Sequence, residues 1–128
     1  MSKNVEVVAA LYEAFVRWDM PAIQALIDPE ATVSQTEQLP WGGQGEGPSG
    51  LQSFTQRLLS HVDSRVEVEE YVEAGDDVIA IGRTRGTVRA TGAPFDIRAV
   101  HVWTVKDGRA VRFHAFINTP EMLRTLGL

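Results

Sequence analysis

The sequence predicts an α+β fold, in which helices pack against one face of an antiparallel sheet. Three amphipathic helical segments and one strand are predicted in the first half of the chain, and four strands follow one another in the second half. Strands in series without intervening helices pair antiparallel, and helices grouped elsewhere cover one face of such a sheet. The length of 128 residues suits one domain with its own core, so we expect a single domain over residues 1–128.

Two helices are predicted before residue 30. Residues 5–17 place apolar side chains at the helical period, and Ser2 or Asn4 can cap the start of this helix. The sequence Asp19-Met20-Pro21 starts a second, short helix, because Asp caps helices and Pro is tolerated in the first turn. The Asp28-Pro29 pair ends it, since the residue before a proline disfavours the helical conformation.

A short strand over residues 31–35 leads into a glycine-rich stretch. Residues 36–50 contain five glycines, two prolines and the large side chain of Trp41. This composition predicts a long mobile loop, and long loops in compact domains are often functional. The glycines do not match a phosphate-binding motif, because no Lys-Ser or Lys-Thr pair follows them. Ser49 is expected to cap a third helix, whose apolar side chains run from Leu51 to Val62.

The second half of the chain predicts strands over residues 65–73, 78–91, 95–105 and 110–117, followed by a short helix in the tail after residue 118. Charged side chains recur along one face of the first two of these strands: Glu67, Glu69, Glu73, Arg83, Arg85 and Arg89. We expect Glu–Arg pairs across the strands, on a solvated or dimer-facing surface. Such pairs need no catalytic role.

The last two strands flank an Asp107-Gly108 turn and carry His101 on their apolar face. A two-residue loop would place His101 opposite His114, whereas a three-residue loop ending in a left-handed Gly108 would place it near Phe113. We favour the three-residue loop, because it gathers onto the face of His101 the apolar side chains Val111, Phe113, Ala115 and Ile117. The hairpin therefore predicts a titratable imidazole on an otherwise apolar face.

Composition excludes several functional classes. A formal net charge of −5 argues against nucleic acid as a partner, because phosphate binding needs a basic surface. The absence of cysteine excludes disulfides and thiolate chemistry. The three histidines, at positions 61, 101 and 114, show no metal-ligand spacing, so we expect no metal and no cofactor. Neither a membrane-spanning run nor a signal sequence is visible, which predicts a cytoplasmic protein without a membrane partner.

Three blocks of sequence carry a family resemblance: residues 11–19 (LYEAFVRWD), 25–33 (ALIDPEATV) and 101–113 (HVWTVKDGRAVRF). With these blocks, the chain resembles the nuclear transport factor 2-like superfamily, and within it the SnoaL-like polyketide cyclases and the ketosteroid isomerases. The resemblance implies a cone-shaped, cystatin-like α+β barrel, in which a curved antiparallel sheet wraps round N-terminal helices and encloses a deep apolar pocket. It also implies a homodimer formed through the outer face of the sheet.

The resemblance marks positions of functional side chains, and this chain differs at each of them. Ketosteroid isomerases have a carboxylate base where this chain has Gln35, and a tyrosine where it has Leu11 followed by Tyr12. Their neutral aspartic acid corresponds to His101. SnoaL-like cyclases have an acid near the end of the last strand, where the nearest match is Asn118. The resemblance therefore argues against the strict isomerase mechanism and leaves a pocket with His101 as its one titratable group.

His101 is the candidate catalytic residue, as a general acid or base or as a hydrogen-bond donor to a ligand carbonyl. An apolar wall would lower its pKa and keep it neutral. The alternative is a core histidine whose hydrogen bonds are satisfied within the protein. The candidate substrate-binding residues are Tyr12, Gln35, Trp41, Trp103, Phe113, Ile117 and Asn118.

These candidates have competing structural roles. Gln35 and Tyr12 would orient a ligand by hydrogen bonding, and Trp103 and Phe113 would form pocket walls with Ile117, although aromatics at strand spacing are often simply core. Trp41 could cover the pocket mouth as a lid, or it could plug the domain edge or make a dimer contact. The alternative role of Asn118, like that of His114, is at the surface or as a cap.

Two functions from different classes follow. The first is a cofactor-free enzyme that isomerises or cyclises a hydrophobic carbonyl compound, polyketide-like or steroid-like, by proton transfer. The second is a non-catalytic ligand-binding or dimerisation module on the same fold, which the missing carboxylates favour. Epoxide hydrolysis would need two carboxylates in the pocket, whereas the strand parity places Asp96 on the face opposite to His101.

Overall fold

The computed structural model describes residues 2–128, and Met1 lies outside the described residues. The described chain has four helices: α1 (Lys3–Arg17), α2 (Met20–Leu26), α3 (Gly47–His61) and α4 (Thr119–Leu126). Its six strands are β1 (Ile27–Gln35), β2 (Gly43–Glu46), β3 (Val62–Ala74), β4 (Asp77–Val88), β5 (Pro94–Lys106) and β6 (Arg109–Ile117). The predicted α+β class is confirmed. None of the described helices combines the length and the apolar composition needed to cross a membrane.

The six strands form one curved sheet in the order β2-β1-β6-β5-β4-β3. Strand β1 pairs parallel with β6, and every other neighbouring pair is antiparallel. The sheet does not close on itself, because β2 and β3 form its two edges. Helix α1 contacts β3, β4, β5 and β6, so it lies across the concave face of the sheet. The expected curved sheet wrapped round an N-terminal helix is therefore confirmed, with one side left open.

Two predicted helix caps hold the N-terminal helices in place. Ser2 Oγ accepts a hydrogen bond from the backbone N–H of Val5 at 3.1 Å, and Asp19 Oδ1 accepts one from Ala22 at 3.3 Å. Helix α1 ends at Trp18, whose backbone is left-handed with φ 55°. This left-handed residue turns the chain sharply from α1 into α2.

The glycine-rich stretch is not the long mobile loop that its composition predicts. Residues 43–46 form β2, which pairs antiparallel with β1 from Gln35↔Gly43 to Thr32↔Glu46. Helix α3 then starts at Gly47, with Glu46 as its first flanking residue and without a side-chain cap. Ser49 does not cap this helix, since its hydroxyl donates to the carbonyl oxygen of Glu46. Pairing of the backbone with β1 stabilises β2 without the apolar alternation that would reveal a strand.

The β5–β6 hairpin follows neither predicted register. Its loop is the two-residue turn, with Asp107 at φ 52° and Gly108 at φ 77°, so the favoured three-residue loop is wrong. A bulge between Thr104 and Val105 shifts the pairing by one residue, so His101 lies opposite Ala115 rather than His114. Because of this shift, the odd-numbered residues of β6 beyond the bulge lie on the same face as His101, as predicted. The concave face therefore carries Phe113, Ala115 and Ile117.

Ion pairs lie on the convex face of the sheet, as expected. Arg85 pairs with Glu67 at 3.0 Å and with Asp96 at 3.2 Å, and Arg83 also pairs with Asp96. Arg98 lies 3.7 Å from Glu69. Asp96 therefore lies on the face opposite to His101. Two of the expected residues have other partners: Glu73 accepts from Ser2, and Arg89 donates to the carbonyl of Leu59.

Gly82 allows β3 and β4 to approach closely beside a bulge at Val68–Glu70. A Cβ at Gly82 would lie 1.9 Å from the backbone oxygen of Glu67. We predict that Gly82→Ala lowers the free energy of unfolding by about 1–3 kcal/mol, measured by urea denaturation, because the strands must separate. Thr87→Ala, at an exposed position on the same strand, should change it by less than about 0.5 kcal/mol. Equal effects of the two variants would contradict this close approach.

Candidate functional site

A cavity of about 570 Å³ lies between α1, α3 and the concave face of the sheet. Most of its lining is apolar, with aromatic side chains from helix and strand, among them Phe15, Phe54, Trp103 and Phe113. It opens to solvent near the end of α1, because the lining there includes Val16, which is 86% exposed. A concave, mainly apolar site with few polar groups is typical of small-molecule binding sites.

His101 points into this cavity from β5. Its neighbours in register are Ala80 on β4 and Ala115 on β6, whose small side chains leave room for the imidazole. The ring packs edge-on against Phe113, with centroids 5.1 Å apart, and His101 is 8% exposed. The prediction of an inward-facing imidazole is therefore confirmed.

A chain of hydrogen bonds orients the imidazole. Trp103 Nε1 donates to Tyr12 Oη at 3.0 Å, and Tyr12 Oη lies 2.6 Å from His101 Nδ1. The indole N–H can only donate, so the tyrosine oxygen accepts there, and the tyrosine's own hydrogen has no acceptor within the described residues other than His101 Nδ1, to which it is therefore donated. The network thus assigns the tautomer in which Nε2 carries the imidazole hydrogen. Within residues 2–128, this Nε2–H makes no hydrogen bond.

Burial determines the charge state of both members of the pair. Desolvation lowers the pKa of His101 to about 4, so the ring is neutral near pH 7. Burial also raises the pKa of Tyr12 well above its usual value, which keeps the phenol protonated. The arrangement therefore presents a neutral N–H donor in an apolar cavity, backed by a neutral hydroxyl.

A second polar group comes from β1. Trp41 Nε1 donates to Gln35 Oε1 at 2.8 Å, and both side chains line the cavity. Because the amide oxygen is used in this bond, the amide NH₂ group of Gln35 has no partner within residues 2–128 and remains a donor for a ligand. Trp41 is 1% exposed, so it is a fixed part of the wall rather than an exposed lid.

The other sequence candidates divide between the cavity and the surface. Tyr12, Trp103, Phe113 and Ile117 line the cavity. Asn118 does not: it is exposed, and its Oδ1 caps α4 by accepting from the N–H of Glu121 at 3.2 Å. Its assignment as a substrate-binding residue is wrong, because the chain leaves the sheet at Ile117 and the asparagine starts the final helix.

Sequence reasoning missed Thr84, a buried polar residue of β4 that lines the cavity and is 8% exposed. The alternation of side chains along β4 could have revealed it, because even-numbered residues of this strand face the core. Val78, Ala80 and Thr84 are all buried. It also missed the rim residues Val16 and Trp18, which gave no signal because apolar side chains at the end of an amphipathic helix resemble its core stripe.

Acidic residues are absent from the cavity lining of the described chain. In residues 2–128, no group of three or more His, Cys, Asp or Glu side chains is placed to hold a metal ion. Among the fully buried side chains of the lining, the polar groups that a ligand would meet are therefore the His101 Nε2–H, the Gln35 amide and the Thr84 hydroxyl, and the half-buried Thr55 and Ser64 add two further hydroxyls.

Comparisons with known proteins agree on one family. The model of the SnoaL-like domain matches residues 8–113. An NTF2-like protein of unknown function from Burkholderia pseudomallei is 30% identical, with 100% of each chain covered and a TM-score of 0.88. IdmH, a candidate polyketide cyclase from Streptomyces antibioticus, is 27% identical over 99% of this chain and 100% of its own, with a TM-score of 0.78.

A candidate polyketide cyclase from Xanthomonas campestris is 22% identical, with a TM-score of 0.81 and coverage of 97% of this chain and 96% of that one. At this identity the likeness shows the fold alone. A search of curated protein sequences finds no significant match.

The buried imidazole makes stability depend on pH. The folded-state pKa of His101 is about 4, below the value of about 6.5 expected in the unfolded chain. Between these values the unfolded chain binds more protons, so stability falls as the pH falls. We predict that His101 accounts for a loss of about 2 kcal/mol between about pH 7.5 and about pH 5.

The measurement is urea denaturation of the wild-type protein and His101→Gln at both pH values. The difference between the two losses isolates His101, because the carboxylates are common to both proteins. Identical pH dependence of the two proteins would show that the imidazole is not held neutral by burial.

Proposed function

Because this chain belongs to the SnoaL-like domain family of the nuclear transport factor 2-like superfamily, we propose that it binds a hydrophobic carbonyl compound and promotes its isomerisation or cyclisation by proton transfer. One observation carries the proposal: the unpaired Nε2–H of His101 faces an apolar cavity while Tyr12 and Trp103 hold the ring from behind. The likeness to IdmH, a candidate polyketide cyclase, supports this class of chemistry.

The neutral imidazole would act as a hydrogen-bond donor to the ligand carbonyl. When the α-carbon loses a proton, negative charge develops on the carbonyl oxygen, and a fixed donor in an apolar site stabilises that charge strongly. A base whose conjugate acid has a pKa of about 4 is too weak to take a proton from carbon efficiently. Donation from His101 Nε2 is therefore the role that the cavity favours.

Proton transfer would then proceed with hydroxide from solvent, entering at the open end of the cavity, as the acceptor of the α-proton, which it converts into water. Return of a proton from that water to a different carbon completes an isomerisation, whereas attack of the enolate carbon on a second carbonyl, followed by protonation of the new alkoxide by that water, completes an aldol cyclisation. The Gln35 amide would bind that second carbonyl oxygen. The apolar walls formed by Trp41, Trp103, Phe113 and Ile117 would exclude other water.

The second candidate function is ligand binding without catalysis. The lining of the cavity favours it, because no Asp or Glu among the described residues is placed to accept the α-proton. The two functions differ in whether removal of the His101 donor changes a rate or only an affinity.

Hydrogen–deuterium exchange of 2-tetralone, an apolar ketone with acidic α-protons, separates the two candidates. We predict that the wild-type protein accelerates exchange over buffer, measured by NMR, and that His101→Ala lowers this acceleration about 100-fold while the Kd for 2-tetralone changes little. Asn118→Ala, outside the cavity, should leave both quantities unchanged. Binding without accelerated exchange in the wild-type protein would favour the non-catalytic module.

We also propose that two copies of the chain associate through the convex face of the sheet. Val72, Ile79 and Val102 lie side by side in register across β3, β4 and β5. Beside this row run Ile81, Val100 and Phe116, and Val72 and Phe116 are 38% and 48% exposed. Apolar rows next to ion pairs are typical of interfaces between protein chains.

Replacing the centre of this face tests the homodimer. We predict that Val102→Glu converts a dimer into a monomer in sedimentation velocity, because a charge would be buried without a partner. Thr91→Glu, with the same charge in an exposed turn, should leave the dimer intact. A wild-type protein that sediments as a monomer, or a dimeric Val102→Glu variant, would overturn this assignment.

A further inference from the structure

A second polar position lines the cavity at a distance from His101. Thr84 on β4 is 8% exposed, and within residues 2–128 its hydroxyl makes no hydrogen bond. By contrast, the hydroxyl of Thr55, which also lines the cavity, donates to the carbonyl oxygen of Leu51 at 2.8 Å. A hydroxyl that is withdrawn from bulk water without a partner costs free energy, so a ligand can supply at Thr84 the hydrogen bond that the chain does not.

Ser64 on β3 adds a second hydroxyl at this position. Thr84 pairs with Val66, and Ser64 lies two residues before Val66 on the same face of β3. Ser64 lines the cavity, is half-buried and makes no hydrogen bond within the described chain. Diagonal neighbours across a strand pair lie about 7–8 Å apart, so one ligand oxygen between them can reach both hydroxyls.

The register of the sheet fixes how far this position lies from His101. Thr84 pairs with Ile97, which lies four residues before His101 on β5. Four residues of an antiparallel strand span about 13 Å. A hydrogen bond of about 2.9 Å at each end leaves about 7 Å between the two oxygens of a ligand that reaches both positions. Two fused six-membered rings cover this separation.

The lining between the two polar positions is apolar. Ile117 lines the cavity in register with Ala99, which lies between Ile97 and His101 on the same face of β5. On the other side, Val66 lines the cavity next to Thr84. A ligand that spans both positions therefore needs an apolar body with an oxygen at each end.

The two positions differ in the hydrogen bonds that they can make. The His101 Nε2–H and the Gln35 amide NH₂ group are donors, so they suit an acceptor such as a carbonyl oxygen. The hydroxyls of Thr84 and Ser64 can both donate and accept, as can the hydroxyl of a ligand. One of the two can therefore donate to a ligand hydroxyl while the other accepts from it.

We propose that Thr84 and Ser64 form a subsite for a hydroxyl group of the ligand, so that the substrate is a fused-ring hydroxyketone whose hydroxyl lies about 7 Å from the carbonyl oxygen at His101. This inference rests on the proposed function, since the same cavity holds the ligand. Thr84 and Ser64 select the ligand and take no part in proton transfer at His101.

Two isomers of one ketone test the subsite. 6-Hydroxy-2-tetralone carries its hydroxyl across both rings from the carbonyl, whereas 8-hydroxy-2-tetralone carries it near the carbonyl, and their Kd values are measured by titration calorimetry. The wild-type protein is expected to bind the 6-hydroxy isomer about tenfold more tightly, because only this isomer reaches Thr84. Thr84→Val is expected to abolish this preference. Thr87→Val, the same change at an exposed position of β4 outside the cavity, is the control and should preserve it.

Urea denaturation separates a ligand subsite from a hydroxyl that serves the fold. Thr84→Val is expected to unfold at the same urea concentration as the wild-type protein or at a higher one, because the hydroxyl that it removes has no partner within the described chain. A midpoint shifted clearly to lower urea would show that the hydroxyl stabilises the fold, and would overturn the subsite.

The binding outcomes separate this inference from the function on which it rests. Equal binding of the two isomers by the wild-type protein, or a preference that survives in Thr84→Val, overturns the hydroxyl subsite and leaves the carbonyl-binding cavity in place. Failure of both isomers and of 2-tetralone itself to bind overturns the cavity together with the subsite. Loss of the preference in Thr87→Val would show that it does not arise at Thr84, and would also overturn the inference.

Discussion

The hydrogen bonds that join Trp103, Tyr12 and His101 are the constraint on which the site depends. They connect helix α1 to strand β5 through Tyr12 and His101, which are 89 positions apart in the sequence. One hydroxyl accepts from the indole and donates to the imidazole, so a single geometry satisfies three buried polar groups. The same geometry joins α1 to the sheet, orients the imidazole, and decides which of its nitrogens meets the cavity.

The apolar surroundings give that arrangement its chemical character. An imidazole in water would be partly charged near neutral pH, but here its environment keeps it uncharged. The cavity consequently offers donors whose strength comes from low dielectric rather than from ionic charge. No Asp or Glu side chain of the described chain lines the cavity. The buried polar groups of the interior are neutral, so the cavity recognises an acceptor oxygen rather than a charged group.

Local signals in the sequence were sufficient for the helices, for the caps of α1 and α2 and for the inward face of His101, because period and side-chain chemistry are encoded within a few residues. They were insufficient for β2, whose glycines pair through the backbone and leave no side-chain pattern. The tautomer of His101 was equally beyond local reasoning, since Tyr12 and Trp103 are 91 positions apart. Asn118 was assigned to the site because the resemblance places an acid near the end of the last strand, whereas in this chain that position caps helix α4.

The bulge in the β5–β6 hairpin has a consequence for how this chain tolerates change. Val111 is the extra residue of β6, between the pairs Thr104↔Arg112 and Val105↔Ala110. Deleting it would leave these pairs in place, because Phe113 would still lie opposite Trp103. Keeping Val111 but pairing it with Thr104 would instead slip every later residue by one position, sending Phe113 outward and His114 inward. The bulge, rather than any one side chain of β6, therefore decides which side chains form the wall.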